Sequence, residues 1–337
     1  LSAPIAAGLA SYLARAWGEP VAIEALSRIS GGASRETYRF DAIVGGERRP
    51  LILRRDPPGS LIETDRRSEF LALKSFHSRG VAAPEPLILE DEGAELERPF
   101  FIMSRIESGA ASSPFAPDPY APHAAELGAD FFGTLGRIAG ADAAALPIAE
   151  ACEAPALGEG WRRELAYWSG VIEADEQHPQ PIVRAAIRWL ARHPPPPAAK
   201  LAVVHGDYRS GNFLHDGAGR MTAVLDWEMA HLGDPLEDLG WAMDPLWSHG
   251  EAGRVAGLLP RAEAIAIWEA ASGLSFDPEA FVWWELFASV KGQAIWTSAA
   301  KEYRDGGFRE PILCFSGWYT ARRHDEILAA KLAEVTA

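Results

Sequence analysis

Cysteine is scarce in this chain: among 337 residues there are two, Cys152 and Cys314. They lie far apart and outside any C-x-x-C spacing. That excludes a disulfide framework and a cysteine-based zinc site, and it fits a reducing cytoplasm. Long apolar runs are missing too; none reaches about 18 residues, so no segment reads as a membrane-spanning helix. Positive charge is in deficit, with 32 Lys and Arg against 47 Asp and Glu and a net charge of −15. Such a surface offers little to nucleic-acid phosphates. The first stretch, Leu1 to Trp17, is Ala-rich, interrupted by Pro4, and lacks the positive start of a signal peptide. No internal repeat is visible, and nothing fixes an oligomeric state. What is present, 48% hydrophobic and 23% charged residues, suits a globular protein of about two domains with ample core.

The first hundred residues read as strands and turns. Val21–Leu26 is a strand running toward Gly31-Gly32, and Thr37–Phe40 alternates with period 2 as its return. Gly45-Gly46 marks a hairpin, and Leu51–Arg54 is a short apolar strand stopped by Pro57-Pro58-Gly59. From Asp65 to Arg79 a helical stripe runs through Phe70, Leu71, Leu73 and Phe76, closed by Gly80. Pro99–Met103 is one further strand. Beyond Met103 the pattern turns helical: Phe131, Leu135 and Ile138 share one face, as do Trp161, Leu165 and Trp168, and again Val183, Ile187 and Leu190. Pro194–Pro197 is a stiff connector into the apolar run Leu201–Val204. The tail from Arg261 to Ala337 is largely helical.

The chemistry concentrates in His205-Gly206-Asp207-Tyr208-Arg209-Ser210-Gly211-Asn212, followed by Val224-Leu225-Asp226-Trp227-Glu228. His, Gly, Asp and Asn are ordinary turn residues. Here, however, an apolar strand, a D-x-x-x-x-N loop, a short strand, a Gly turn and a second apolar strand ending in Asp come in succession. That order carries Asp207, Asn212 and Asp226 to one end of a hairpin. Asp207 then takes up a hydroxyl proton, while Asn212 and Asp226 offer oxygen ligands to magnesium on a nucleotide triphosphate. Arg209 is a cation within reach of the transferred phosphate, or else a surface ion pair. Asp234, before Pro235, reads as a helix cap, and Asp238 as a buried anchor for the loop. His205 braces the loop and is not assigned as a base. Glu228 lies either behind the metal or against substrate.

These residues, with Ser30-Gly31-Gly32-Ala33-Ser34, Leu51-Ile52-Leu53-Arg54-Arg55, Phe100-Phe101-Ile102-Met103 and the run Leu225 through Leu239, make the chain resemble the aminoglycoside phosphotransferase and choline kinase superfamily. The nearest likeness is to the phosphotransferase domain attached to some acyl-CoA dehydrogenases. The resemblance implies an α+β, bilobal protein-kinase-like fold with a small antiparallel β-sheet lobe and a larger, mainly helical lobe. Its parts would be residues 1–103 (nucleotide-binding lobe), 104–108 (hinge) and 109–337 (helical lobe). It implies ATP and Mg2+ as cofactors and a small-molecule hydroxyl as acceptor, an acyl compound as readily as an aminoglycoside or a choline-like one. It makes Asp207 catalytic, gives Asn212 and Asp226 to magnesium, and sets Gly31, Gly32 and Ser34 over the phosphates. Many kinases have a phosphate-contacting lysine on the third strand; here Arg54 stands there, with Arg55 as its rival. Glu69 is the implied ion-pair partner. Met103, Ser104 and Ile106 would offer backbone groups to adenine. Trp161, Trp168, Trp283 and Trp284 are candidates for the acceptor pocket, although tryptophans more often build core. The alternative reading is a catalytically silent nucleotide-binding module. After the Asp207 loop the chain has neither the D-F-G nor the A-P-E segment of protein kinases.

Overall fold

The computed structural model describes residues 2–29, 35–56, 65–113, 116–251, 253–306 and 310–337. β1 (Val21–Ile29), β2 (Glu36–Val44) and β3 (Glu47–Arg55) form an antiparallel meander. Gly45 and Gly46 make the β2–β3 turn with φ of 58° and 87°, the left-handed pair that a two-residue hairpin requires. β4 (Pro86–Glu90) and β5 (Phe100–Ser104) complete a five-stranded sheet in the order β1-β2-β3-β5-β4, every pairing antiparallel. β4 goes beyond the sequence reading. It alternates weakly in burial and is a strand because β5 offers it an edge.

A second addition is α1 (Ser2–Trp17), which the sequence reading left unassigned. Pro4 falls in its first turn, where the missing N–H costs no intrahelical hydrogen bond. Ile5, Leu9 and Leu13 bury themselves against Phe40, Leu53, Phe100 and Ile102 on one face of the sheet. The other face carries α2 (Arg66–Phe76), capped by the Asp65 carboxylate, which accepts from the N–H groups of Arg67 and Ser68 at 3.1 and 2.9 Å.

The rest of the chain is mainly helical: α3 (Ala124–Gly140), α4 (Gly160–Asp175), α5 (Pro181–Arg192), α6 (Leu236–Ala242), α7 (Arg261–Ser272), α8 (Pro278–Asp305), α9 (Pro311–Phe315) and α10 (Ala321–Thr336). Between α5 and α6 lie two small antiparallel ladders. β6 (Ala202–Val204) pairs with β9 (His231–Gly233), and β7 (Phe213–His215) pairs with β8 (Met221–Val224). Trp161, Trp283 and Trp284 are buried with Phe287, Trp283 stacking on Phe287 at 5.2 Å. The two parts are joined at α2. Phe76 stacks on Trp227 at 5.1 Å and 22°, and the Val224 N–H donates to Ala82 O at 2.7 Å. The expected α+β chain forms, with a small antiparallel sheet first and a larger helical part after it.

Candidate active site

β6 delivers the chain into the loop at His205, and α6 holds that loop from below. The Asp238 carboxylate accepts from the His205 N–H (2.5 Å) and the Gly206 N–H (2.9 Å), the anchoring expected of it. Burial raises the Asp238 carboxyl to about 6, against the pull of those two donors. His205 is fully buried, and burial lowers it to about 4. A neutral ring fits its contacts: Nε2–H donates to Leu225 O at 3.0 Å, while Nδ1 accepts from the Asp207 N–H at 3.2 Å. Gly206 has φ +85°, and a Cβ there would meet Met229 O at 2.4 Å. No other residue fits between the two loops.

Asp207 stands at the end of this scaffold. Its Oδ1 accepts from Arg209 Nε (3.0 Å) and Trp241 Nε1 (2.8 Å); its Oδ2 accepts from Asn212 Nδ2 (2.5 Å). The Leu225 N–H donates to Asn212 O at 2.8 Å, and Phe213 pairs with Val224. The hairpin thereby sets Asn212 opposite the residue that precedes Asp226. Asp226 adopts the left-handed conformation, φ 66° and ψ 57°, which non-glycine residues take mostly where surrounding structure imposes it. Arg209 is no loose surface pair: besides Asp207 it reaches Ser210 O and lies 4.7 Å over the Trp247 ring.

From the sheet, Arg54 enters the cleft. Residues alternate along β3, so Leu51, Leu53 and Arg55 face α1 while Ile52 and Arg54 face α2. Arg55 is spent on Glu36 and Leu96 O, so the pleat puts Arg54, not Arg55, in the cleft. Arg54 Nη1 lies 2.7 Å from Glu69 Oε1 and 3.2 Å from Asp226 Oδ1, and Nη2 lies 2.7 Å from Glu228 Oε2. Burial disfavours its charge, but those three carboxylates keep its pKa above the ordinary value. Glu69 is 1% exposed and also accepts from Arg35 Nε at 2.9 Å. At the edge of the cleft, Met103 pairs with Ile52 and Pro86. The Ser104 and Arg105 N–H groups are bonded to Glu85 O (2.8 Å) and Pro50 O (3.0 Å), and Ile106 follows where the sheet ends. Gly31, Gly32 and Ser34 lie outside the described residues.

Oxygen ligands from a carboxylate and an amide suit magnesium. The Asp226 side chain is 39% exposed, so Arg54 leaves much of it open. The buried Arg54 Nε–H has no acceptor among the described residues, and a phosphate oxygen is an acceptor of the right kind. The donor set therefore fits a magnesium-bound nucleotide.

A cavity of about 320 Å³ opens on the helical side of Glu228 and Met229, lined also by Tyr167, Trp168, His231 and Lys291. Of the four tryptophans considered for an acceptor pocket, Trp168 lines this cavity; Trp161, Trp283 and Trp284 pack in the core. In the cavity wall, Glu164 and His231 converge with Glu237 closely enough to resemble a metal cluster. They hold cations of their own instead. Lys291 Nζ is 3.1 Å from Glu237, and His231 is pushed up to about 9 because Glu164 and Glu237 outweigh its burial. Sequence reading missed this cluster and Trp241. The spacing of Trp241, three residues after Asp238 on one helix face, was the available signal.

Residues 25–274 match the model of the phosphotransferase enzyme family. Viomycin phosphotransferase of Streptomyces vinaceus is 31% identical over 301 residues, covering 86% of this chain and 93% of that one. Acyl-CoA dehydrogenase family member 11 of Gallus gallus is 28% identical over 232 residues, 66% of this chain but 28% of that protein. The chain thus matches just over a quarter of that relative's length. Among solved structures, a candidate aminoglycoside phosphotransferase from Ralstonia eutropha superimposes with a TM-score of 0.76 at 20% identity, covering 97% of this chain and 98% of the other. The aminoglycoside phosphotransferase APH(4)-Ia, in complex with ADP and hygromycin B, gives 0.59 at 19% identity with the same coverage. These neighbours show a bilobal protein-kinase-like fold, and the family match is direct: the chain belongs to the phosphotransferase enzyme family.

Proposed function

We propose that the protein is a small-molecule kinase that transfers the γ-phosphate of ATP, with magnesium, to a hydroxyl group. The observation that carries this reading is the loop that joins Asp207 to Asn212, whose carbonyl accepts from the Leu225 N–H next to Asp226, with Asp226 in turn facing the Arg54–Glu69 pair of the other lobe. Residues 1–103 act as the nucleotide-binding lobe, 104–108 as the hinge, and 109–337 as the helical lobe with the acceptor pocket. Met103, Ser104 and Ile106 border the adenine site, and Gly31, Gly32 and Ser34 the phosphate site. APH(4)-Ia, crystallised with ADP and hygromycin B, supports a nucleotide and a small acceptor in one cleft. Two free cysteines, Cys152 and Cys314, support a reducing, cytoplasmic setting.

Charge in phosphoryl transfer is spread over the transferred group, so positioning and electrostatics do most of the work. Bound magnesium neutralises phosphate charge. Asp207 Oδ1 already receives two donors, whereas Oδ2 accepts from Asn212 alone among the described residues. Oδ2 is therefore the oxygen that orients the acceptor hydroxyl and takes its proton. Arg209, stacked on Trp247, steadies Asp207 and presents a cation to the phosphoryl group. The cavity beside Glu228 receives the acceptor.

The test is a phosphotransfer screen over hydroxylated compounds, with magnesium-ATP binding measured separately. Asp207→Asn should lower turnover about 100-fold or more while leaving nucleotide binding within a few-fold. An Asp207→Asn protein with full turnover would refute the mechanism. Binding without transfer to any acceptor would favour the catalytically silent module.

A further inference from the structure

An arginine at the phosphate-contacting place on β3 poses a geometric problem. A lysine ends in one ammonium, which a single carboxylate can hold. A guanidinium is a planar fork, and a carboxylate that meets one arm alone, as Glu69 meets Nη1, leaves it free to pivot. In this structure both arms are held, Nη1 by Glu69 at 2.7 Å and Nη2 by Glu228 at 2.7 Å. The two carboxylates come from different lobes, Glu69 from α2 and Glu228 from the segment after Asp226. Fixing both arms fixes the plane, and it leaves Nε as the guanidinium nitrogen with no acceptor among the described residues.

We propose that Glu228 is the positioning residue that makes Arg54 competent in the nucleotide site: it holds Nη2, so that Nε–H stays directed to phosphate and Arg54 does not collapse onto Asp226. The second effect matters because Nη1 is already 3.2 Å from Asp226 Oδ1. Released from Glu228, the fork would turn about Glu69 and occupy the carboxylate expected to hold magnesium. Glu228 thus serves two residues, giving Arg54 its orientation and keeping Asp226 open. The inference rests on the kinase reading and deepens it at the same site. It also predicts that Arg54 and Glu228 form one unit: Glu228 is needed because residue 54 is an arginine.

A double-mutant cycle tests this without any acceptor, using magnesium-ATP affinity measured by calorimetry and the unfolding midpoint of the nucleotide-free protein. In the native background, Glu228→Gln should weaken magnesium-ATP binding about tenfold, a coupling of ordinary size for contacting charges. In an Arg54→Lys background the same change should cost less than twofold. The nucleotide-free midpoints should show the same non-additivity. Glu228→Asp, which keeps the charge, should recover part of the affinity in the native background, and it carries the cycle if Glu228→Gln does not fold. An equal loss in both backgrounds overturns the inference while leaving the kinase reading intact. A folded wild-type protein that binds no magnesium-ATP overturns both.

Discussion

At the scale of single residues, the site depends on contacts that tolerate little change. Trp241 gives the Asp207 carboxylate, at Oδ1, one hydrogen bond of 2.8 Å from a neutral donor, worth about 1.5 kcal/mol or more. Trp241→Phe should therefore slow transfer about tenfold with little change in the KM for ATP, as steady-state kinetics would show. Gly206 faces two obstacles, its positive φ and Met229 O at 2.4 Å from any Cβ. Gly206→Ala should cost about 2 kcal/mol or more, seen as a lowered thermal midpoint, and should displace the loop that carries Asp207. Asp238 is a different kind of residue from Asp207. It is buried under the loop and touches no reacting atom, so its loss should act through folding.

At the scale of elements, α1 and α2 cover opposite faces of one sheet and separate stability from function. Leu9 is fully buried on the α1 side, remote from the cleft. Leu9→Ala should destabilise by about 2–5 kcal/mol, and the surviving folded protein should bind magnesium-ATP with unchanged affinity. Phe76 is 1% exposed at the end of α2 and stacks on Trp227, the neighbour of Asp226. Phe76→Ala should cost about 3–5 kcal/mol and also weaken nucleotide binding, because the helix that carries Glu69 loses its seat. Comparing the two variants by calorimetry and thermal unfolding would show that α2, and not the sheet as a whole, couples the lobes.

At the scale of the whole molecule, buried ion pairs tie helices together behind the site. His231, between Glu164 and Glu237, is raised from its ordinary 6.5 to about 9. A histidine with a raised folded-state pKa gives its full stabilisation below about 6.5 and loses it as the pH climbs through about 9. The thermal midpoint should fall between pH 7 and 9.5, and His231→Gln should flatten that slope. The balanced charges of Glu164, Glu237, His231 and Lys291 explain how so acidic a chain keeps a buried polar cluster, since each carboxylate has an internal cation.

Much of this was legible in the residues alone. The meander of β1 to β3, α2, the ladder around Asp207 and the order of the loop residues follow from periodicity, glycine turns and spacing, all of which are local. α1 was missed because Pro4 in an Ala-rich stretch reads as a break, while in a first turn it costs nothing. β4 was missed because an edge strand is defined by its neighbour. Which arginine enters the cleft needed the pleat, which points Arg54 and Arg55 to opposite faces. Glu228 meets Arg54 only through folding. The sequence by itself determined the reaction's chemical groups, because their types and order along the chain already state what they can bind. Only the tertiary structure decided which of them meet, because contacts across the cleft join residues as distant as Arg54 and Glu228, and no local pattern encodes that distance.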